Sequence, residues 1–186
     1  MKPTQSHHLI LGKLVDFITG ETIQDTHDER YRQKLARLLV ENKGYVKQEI
    51  DPCCDILVKA ENKQAKVKID FKVVLSGRTG MIIKYGPGSL VTRRRCALAL
   101  SRLASSYQVP IVVVTNGEDA EIVEGATGNV ISSGLESIPE KSQLIEMVKQ
   151  ASFNQISAQQ AEMESRIVYA FEIDGSCPCD DTICRL

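Results

Sequence analysis

Residues 66–85 constrain the fold more than any other stretch of this chain. Two runs rich in β-forming residues, 66–75 and 81–85, flank the loop Ser-Gly-Arg-Thr-Gly at 76–80. The two glycines of this loop suit a tight reversal of the chain. The pattern therefore predicts a β-hairpin, and with it a sheet at the centre of the fold.

Charged side chains are expected along one side of this hairpin. In its first strand four apolar side chains are predicted to share a face: Val67, Ile69, Phe71 and Val73. Asp70 is expected on the opposite face, between Lys68 and Lys72. Lys84 lies near the end of the second strand. An Asp and a Lys placed in this way are expected to converge on one rim of the sheet.

The rest of the chain adds helices and strands to the hairpin. A capping box, Thr26 followed by Glu29, predicts a helix to about residue 43, which Gly44 ends. The other predicted elements are strands at 46–50 and 55–60 around an Asp51-Pro52 turn, a helix at 90–107, a buried strand at 109–115 parallel to a neighbour, a hairpin at 120–132, helices at 139–150 and 157–165, and a strand at 166–173. This order predicts an α/β fold with a mixed β-sheet flanked by helices.

Glu29 has two interpretations. As the last residue of the capping box it needs no chemical role. Alternatively, its carboxylate points from the first helix toward the rim that Asp70 and Lys84 are expected to share. The sequence leaves both interpretations open.

The charge distribution favours a nucleic-acid partner more than the net charge of -1 does. Residues 59–95 contain ten basic and two acidic residues, and residues 116–186 contain four basic and thirteen acidic residues. The candidate contacts to nucleic acid are Lys72, Arg93, Arg94 and Arg95. A phosphate would relieve the unfavourable interaction of the three arginines with the start of their helix. Alternatively, these charged residues form ordinary solvent-exposed faces that bind no partner.

The first residues of the chain and its six cysteines indicate where the protein is located and whether it binds zinc. The first residues lack the apolar region of a signal peptide, and no apolar run has the ~20 residues of a membrane helix. We therefore expect a cytoplasmic protein without a membrane partner or a disulfide framework. Cys177, Cys179 and Cys184 supply three thiols within eight residues. They form either part of a Zn²⁺ site with a fourth ligand from elsewhere, or reactive or idle thiols.

Several motifs resemble one family of nucleases in order and spacing. They are Glu29-Arg30-Tyr31-Arg32-Gln33, Lys43-Gly44-Tyr45, Ile69-Asp70, Ile82-Ile83-Lys84 and the strand from Val109 to Gly117. Across residues 16–140 the chain is similar to the N-terminal domain of the R subunit of type I restriction enzymes, within the PD-(D/E)XK superfamily. The resemblance implies a restriction-endonuclease-like αβββαβ core at 28–139. An N-terminal arm or hairpin at 1–27 and a helical extension with a cysteine-rich tail at 140–186 flank that core.

The resemblance also implies a chemistry. Members of the superfamily hydrolyse phosphodiesters of DNA with Mg²⁺, which activates a water molecule and polarises the phosphate. Carried over, Asp70 and the Ile83 carbonyl would hold the metal, Lys84 would stabilise the transition state, and Glu29 would be a further catalytic carboxylate. Ile82 stands where the family tripeptide has Glu or Asp, and its side chain cannot bind Mg²⁺.

Three hypotheses about function follow from the sequence. The first is a nuclease-fold domain that binds DNA, with metal-dependent hydrolysis depending on whether another acid replaces the one missing at Ile82. The second is a catalytically inactive module that keeps the fold and binds DNA or protein. The third is a metal- or redox-responsive factor built around the C-terminal cysteines. The sequence leaves open whether the chain forms a homo-oligomer.

Overall fold

The computed structural model describes residues 10–174 and 184–185. The strands are β1 (Gly12–Val15), β2 (Thr22–Asp25), β3 (Ile50–Ala60), β4 (Lys63–Leu75), β5 (Arg78–Tyr85), β6 (Ile111–Thr115), β7 (Ala120–Glu124), β8 (Val130–Ser133) and β9 (Cys184–Arg185). The α-helices are α1 (His27–Arg37), α2 (Leu90–Leu103), α3 (Lys141–Gln150) and α4 (Ala158–Tyr169). Single π-helical turns, Leu38–Asn42 and Ala170–Asp174, extend α1 and α4.

The main sheet is mixed, as the sequence predicts. Its strands lie in the order β3-β4-β5-β6-β7-β8, and β9 pairs with β4 beyond the end of β5. β5 and β6 are parallel, whereas the other neighbouring pairs are antiparallel. The predicted N-terminal arm forms the separate two-stranded sheet of β1 and β2. The α/β fold and the order helix, three strands, helix, strand are confirmed.

Helices cover both faces of the sheet and create two core clusters. The cluster under α2 and α4 contains Ile82, and the cluster under α1 and α3 contains Ile83. β6 contributes to both clusters, because Val112 and Val114 face one side and Val113 the other. An apolar run without alternation therefore marks a strand that is buried on both faces.

The predicted single apolar face of β4 is wrong. Val67 and Ile69 belong to the α2 cluster, whereas Phe71 and Val73 belong to the α1 cluster. The switch between the two clusters occurs at Asp70. At the same level of the neighbouring strand β3, Cys53 has a backbone φ of 53°. Such a left-handed residue interrupts the regular pleat of β3, and the apolar side chains of β4 enter different cores on the two sides of this level.

Three predicted elements differ from the structure. The strand predicted at 46–50 is a 3-10 helical turn, Lys47–Glu49, directly before β3. The Asp51-Pro52 pair lies within β3 rather than in a turn. β3 is an end strand of the sheet, where a proline costs no ladder hydrogen bond on its open side. The sequence predicts a strand at 166–173, yet these residues form the end of α4 and the π-helical turn that follows it. Packing of α4 against α2 and β3 outweighs the local propensity.

The C-terminal extension packs against the core. Val168, Tyr169 and Ile173 are buried in the α2 cluster. The predicted zinc ligands Cys177 and Cys179 lie outside the described residues, and for Cys184 only the backbone, within β9, is described. Among the described helices, none combines the length and hydrophobicity that a membrane crossing requires.

Candidate functional site

A cleft of about 150 Å³ lies where α1, β4, the end of β5 and the π-helical turn after α4 meet. Its lining residues are Glu29, Arg32, Cys53, Lys66, Val67, Lys68, Asp70, Lys84, Glu172 and Ile173. The cleft thus contains the three side chains that the resemblance implies for catalysis: Glu29, Asp70 and Lys84. Hydrogen bonds and ion pairs within the protein already occupy all three, as follows.

Asp70 is buried, and each of its carboxylate oxygens accepts a hydrogen bond. Its exposed fraction is 2%. The Tyr85 backbone N–H donates to Oδ2 at 2.7 Å. Arg32 Nε donates to Oδ1 at 2.5 Å. The carboxylate is therefore tied to the end of β5 on one side and to a guanidinium on the other.

Arg32 reaches Asp70 from α1, one helical turn after Glu29. Its guanidinium also lies 3.5 Å from a Glu29 oxygen and 5.4 Å from the centre of the Tyr85 ring. Burial alone would lower the pKa of Arg32, but the carboxylates of Asp70 and Glu29 raise it. Arg32 is thus a permanent positive charge beside Asp70, at the position where the resemblance implies a metal ion.

Lys84 lies in the same cleft and is also paired. Its Nζ donates to the Lys68 carbonyl at 2.9 Å and lies 3.0 Å from Glu172 Oε2. Burial alone would lower the pKa of Lys84, but the carboxylates of Asp70 and Glu172 raise it. Lys84 therefore stays charged in a buried position, where a neutral amine would be expected without these partners.

Glu29 combines the two roles that the sequence left as alternatives. Its backbone N–H donates to Thr26 Oγ1 at 3.1 Å, which is the N-terminal cap of α1. Its side chain extends into the cleft, where Oε1 accepts a hydrogen bond from Gln33 Nε2 at 2.8 Å. The cap uses the Glu29 backbone N–H, so the carboxylate is not needed for the cap and instead contacts Gln33 and Arg32 at the cleft.

The other predicted site residues lie elsewhere. Lys72 is half-buried in β4 and pairs in the sheet with Asp51 and Ile82. Ile83 is fully buried, and it does not line the cleft. The three arginines that begin α2 are also outside the cleft: Arg93, Arg94 and Arg95.

Acidic residues of the protein bind two of these arginines. Arg94 donates to both carboxylate oxygens of Glu121, at 2.8 and 2.7 Å. Arg95 Nη1 lies 2.6 Å from Glu164 Oε2, a contact that is ionic rather than a well-aligned hydrogen bond. Arg93 donates to the Pro87 carbonyl at 3.0 Å. The phosphate contacts predicted for the start of α2 therefore compete with partners inside the protein.

Sequence reasoning missed four charged residues of the cleft: Arg32, Lys66, Lys68 and Glu172. A signal existed for Arg32, because a residue three positions after Glu29 lies on the same face of a helix. Lys66 and Lys68 alternate on a strand that leads to Asp70, which also places them at the same rim. Glu172 had no such signal, since it lies in a segment predicted as a strand.

The described residues do not fit a bound Mg²⁺ ion. No three His, Cys, Asp or Glu side chains among them are arranged to hold a metal. Both oxygens of Asp70 are hydrogen-bonded, and Ile82 is fully buried in the α2 cluster. Mg²⁺ requires several oxygen ligands in octahedral geometry, which this arrangement does not present.

The comparison with known families agrees with the fold. The family described as "Type I restriction enzyme R protein N terminus" matches residues 27–139. The chain belongs to this family. The matched region of this R-protein N-terminal domain includes α1, β4 and β5, which supply Glu29, Asp70 and Lys84. No curated protein and no solved structure matches the chain.

Glu172 lies outside the matched region of this R-protein N-terminal domain, as do α3 and α4. The cleft is therefore built from two parts of the chain: the family region provides most of its walls, and the C-terminal extension provides Glu172 and Ile173.

Proposed function

We propose that this chain is a DNA-binding member of its family that does not hydrolyse phosphodiesters through Mg²⁺. The observation that carries this proposal is the 2.5 Å contact between Arg32 and Asp70. The guanidinium of Arg32 already neutralises the charge of the Asp70 carboxylate, so Asp70 does not attract a metal cation. The cleft then recognises anions rather than metals.

The first support is the cost of restoring a metal site. To bind Mg²⁺, Asp70 would have to release Arg32 and leave that side chain, which is 27% exposed, without its main partner. Separating partners of a buried ion pair is strongly unfavourable. In return the ion would gain the Asp70 carboxylate, whereas the side chain of Ile82, at the position of the second family acid, offers no oxygen.

The second support is the surface around the cleft. Lys66 and Lys68 line it, are exposed, and form no ion pair with another described residue. Together with Arg32 and Lys84 they give the cleft four cations against the carboxylates of Glu29, Asp70 and Glu172. A lysine that is exposed and unpaired can contact a phosphate without first breaking an internal interaction.

The test is DNA binding measured by fluorescence anisotropy with a labelled duplex across a series of KCl concentrations. Wild-type affinity should fall steeply with salt, because phosphate contacts release counterions. In the variant Lys66→Ala/Lys68→Ala, affinity should fall roughly tenfold and the slope of log K against log salt should lessen by about 1.8. Lys13→Ala/Lys149→Ala removes the same charge from exposed positions outside the cleft and should keep the wild-type slope.

Two results would overturn the proposal. Salt-independent binding, or equal losses in the two double variants, would remove the cleft from DNA recognition. Cleavage of the duplex by wild-type protein in Mg²⁺ or Mn²⁺, abolished in Asp70→Ala, would mean that the site hydrolyses DNA despite Ile82. The second result would favour the enzymatic hypothesis over the binding module.

A further inference from the structure

Glu172 occupies the end of the cleft from outside the family region. It lies in the π-helical turn Ala170–Asp174, whose Ile173 is buried in the core. Its Oε2 is 3.0 Å from Lys84 Nζ, and its Oε1 accepts a 3.5 Å hydrogen bond from the thiol of Cys96. Both carboxylate oxygens thus have partners on the family core, so the side chain is held in place.

Lys84 has little capacity left for another anion. An ammonium group has three donors, and two of them are directed to the Lys68 carbonyl and Glu172. Lys84 is also buried, with an exposed fraction of 9%. One donor remains, and a phosphate that reaches it would lie beside the Glu172 carboxylate, 3.0 Å from the same ammonium group, so the two anions compete for Lys84.

We infer that Glu172 is an internal competitor of the DNA phosphate at Lys84, and that the C-terminal extension thereby restrains DNA binding. The inference rests on the proposed function. A carboxylate and a phosphate both make charge-assisted hydrogen bonds to an ammonium group, so the two compete at this position. In the presence of Glu172, DNA contacts only the exposed lysines at the mouth of the cleft, Lys66 and Lys68.

The charges of the cleft give the direction of the effect. With Glu172 ionised, four cations face three carboxylates, and without that charge four cations face two. Gln is isosteric with Glu, and its amide oxygen still accepts a hydrogen bond from Lys84. Glu172→Gln therefore removes the competing charge while it keeps the shape of the site.

The test compares Glu172→Gln with the wild type in the DNA-binding experiment described above. Affinity should rise roughly threefold to tenfold at low salt, and the salt slope should steepen by about 0.9, the value for one added phosphate contact. Glu162→Gln is the matched control, because Glu162 is on the same extension but pairs with Arg166 at the surface. It should leave the slope unchanged.

A second pair of variants separates competition from a general electrostatic effect. In a Lys84→Gln background, Glu172→Gln should give no gain, since the phosphate position is already lost. An equal gain with and without Lys84 would overturn the inference. Should Glu172→Gln fail to fold, Glu172→Asp keeps the charge but shortens its reach, and a smaller gain is expected.

Failure of the inference can be told from failure of the proposed function. Wild-type binding that depends on Lys66 and Lys68 but is unchanged by Glu172→Gln overturns the inference and leaves the function in place. Absence of binding in both proteins overturns both. Binding by Glu172→Gln but not by the wild type supports the inference in its strongest form.

Discussion

Two basic stretches of this protein, the lysines of β4 and the arginines of α2, carry similar charge but differ in what surrounds it. On β4, Lys66 and Lys68 are exposed at the cleft. On α2, Arg94 and Arg95 contact carboxylates of β7 and α4. The lysines are therefore available to a ligand, whereas two of the arginines connect parts of the fold.

The difference follows from how each element packs. α2 lies on the sheet beside α4 and β7, so its charged residues face neighbours that supply acids. The part of β4 that carries the lysines forms a cleft wall: its backbone pairs with β3 and, at Lys66, with β9, while the side chains of Lys66 and Lys68 are exposed. A run of basic residues thus indicates a binding surface only if no element of the protein covers it.

The largest effect that this comparison predicts is on stability, at Glu164. Its side chain is 3% exposed and lies between Arg95 and Arg102, at 2.6 and 2.5 Å. Arg95→Ala/Arg102→Ala leaves a buried carboxylate without a cation, which should lower the free energy of unfolding by about 3 kcal/mol. Urea unfolding should show a lower midpoint at an unchanged m-value.

Arg166→Ala is the control for this loss. Arg166 forms an exposed pair with Glu162 on the same helix as Glu164. Because exposed pairs of this kind contribute little, its stability should stay within about 0.5 kcal/mol of the wild type. A similar small loss in Arg95→Ala/Arg102→Ala would show that these arginines do not hold the fold together.

The second largest effect concerns pH: the loss in the free energy of unfolding of Arg95→Ala/Arg102→Ala should depend on it. Burial alone would raise the pKa of Glu164, but Arg95 and Arg102 hold it below its usual 4.5. A lowered folded-state pKa means that the stabilisation is fully present above pH 4.5 and is lost as the pH falls through the folded value. The stability difference between wild type and Arg95→Ala/Arg102→Ala should therefore shrink in acid.

Urea midpoints of both proteins, measured from neutral pH downward, check this expectation. A difference that stays constant below pH 4.5, the usual pKa of Glu164, would mean that the arginines stabilise α2 and α4 through packing rather than through the carboxylate.

The fold and part of the cleft were predictable, because they depend on local patterns. A hairpin fixes the register of β4 against β5, which brings Asp70 and Lys84 to one rim. Helical spacing places Glu29 and Arg32 on one face of α1. These relations involve neighbours in sequence or in a hairpin, where spacing determines geometry.

The remainder depended on contacts between distant segments. Glu172 reaches Lys84 only because residues 166–173 continue a helix, and that helix is set by its packing on α2 and β3. Likewise, the partners of Arg94 and Arg95 lie 27 residues away or more. Propensity and periodicity give no information about such pairs.

A smaller effect is predicted for Arg94→Ala. Arg94 forms two hydrogen bonds with Glu121, but its side chain is 33% exposed and that of Glu121 is 13% exposed. The loss in stability should be about 0.5–1 kcal/mol, the range of partly exposed pairs. DNA affinity should not change, because the guanidinium is already bound to a carboxylate. A fall comparable to that of Lys66→Ala/Lys68→Ala would mean that DNA displaces Glu121.

Arg93→Ala should have the smallest effect, and it tests the comparison most closely. Arg93 is the one arginine of the three that pairs with no acid among the described residues, since its Nε donates to the Pro87 carbonyl. Stability should change by less than about 0.5 kcal/mol, as for most surface substitutions. DNA affinity should also stay near the wild-type value if the cleft lysines, and not the start of α2, contact the phosphates.

A second variant moves the Arg93 guanidinium without removing its charge. A Cβ at Gly86 would lie 2.5 Å from Arg93 Nη1, so Gly86→Ala should displace this flexible group from its position. If neither Arg93→Ala nor Gly86→Ala weakens binding, the start of α2 is not a DNA contact. A loss in Arg93→Ala alone would indicate that the charge attracts DNA from any position. Losses in both would mean that the guanidinium contacts a phosphate where it lies, and the two basic stretches would then form one surface.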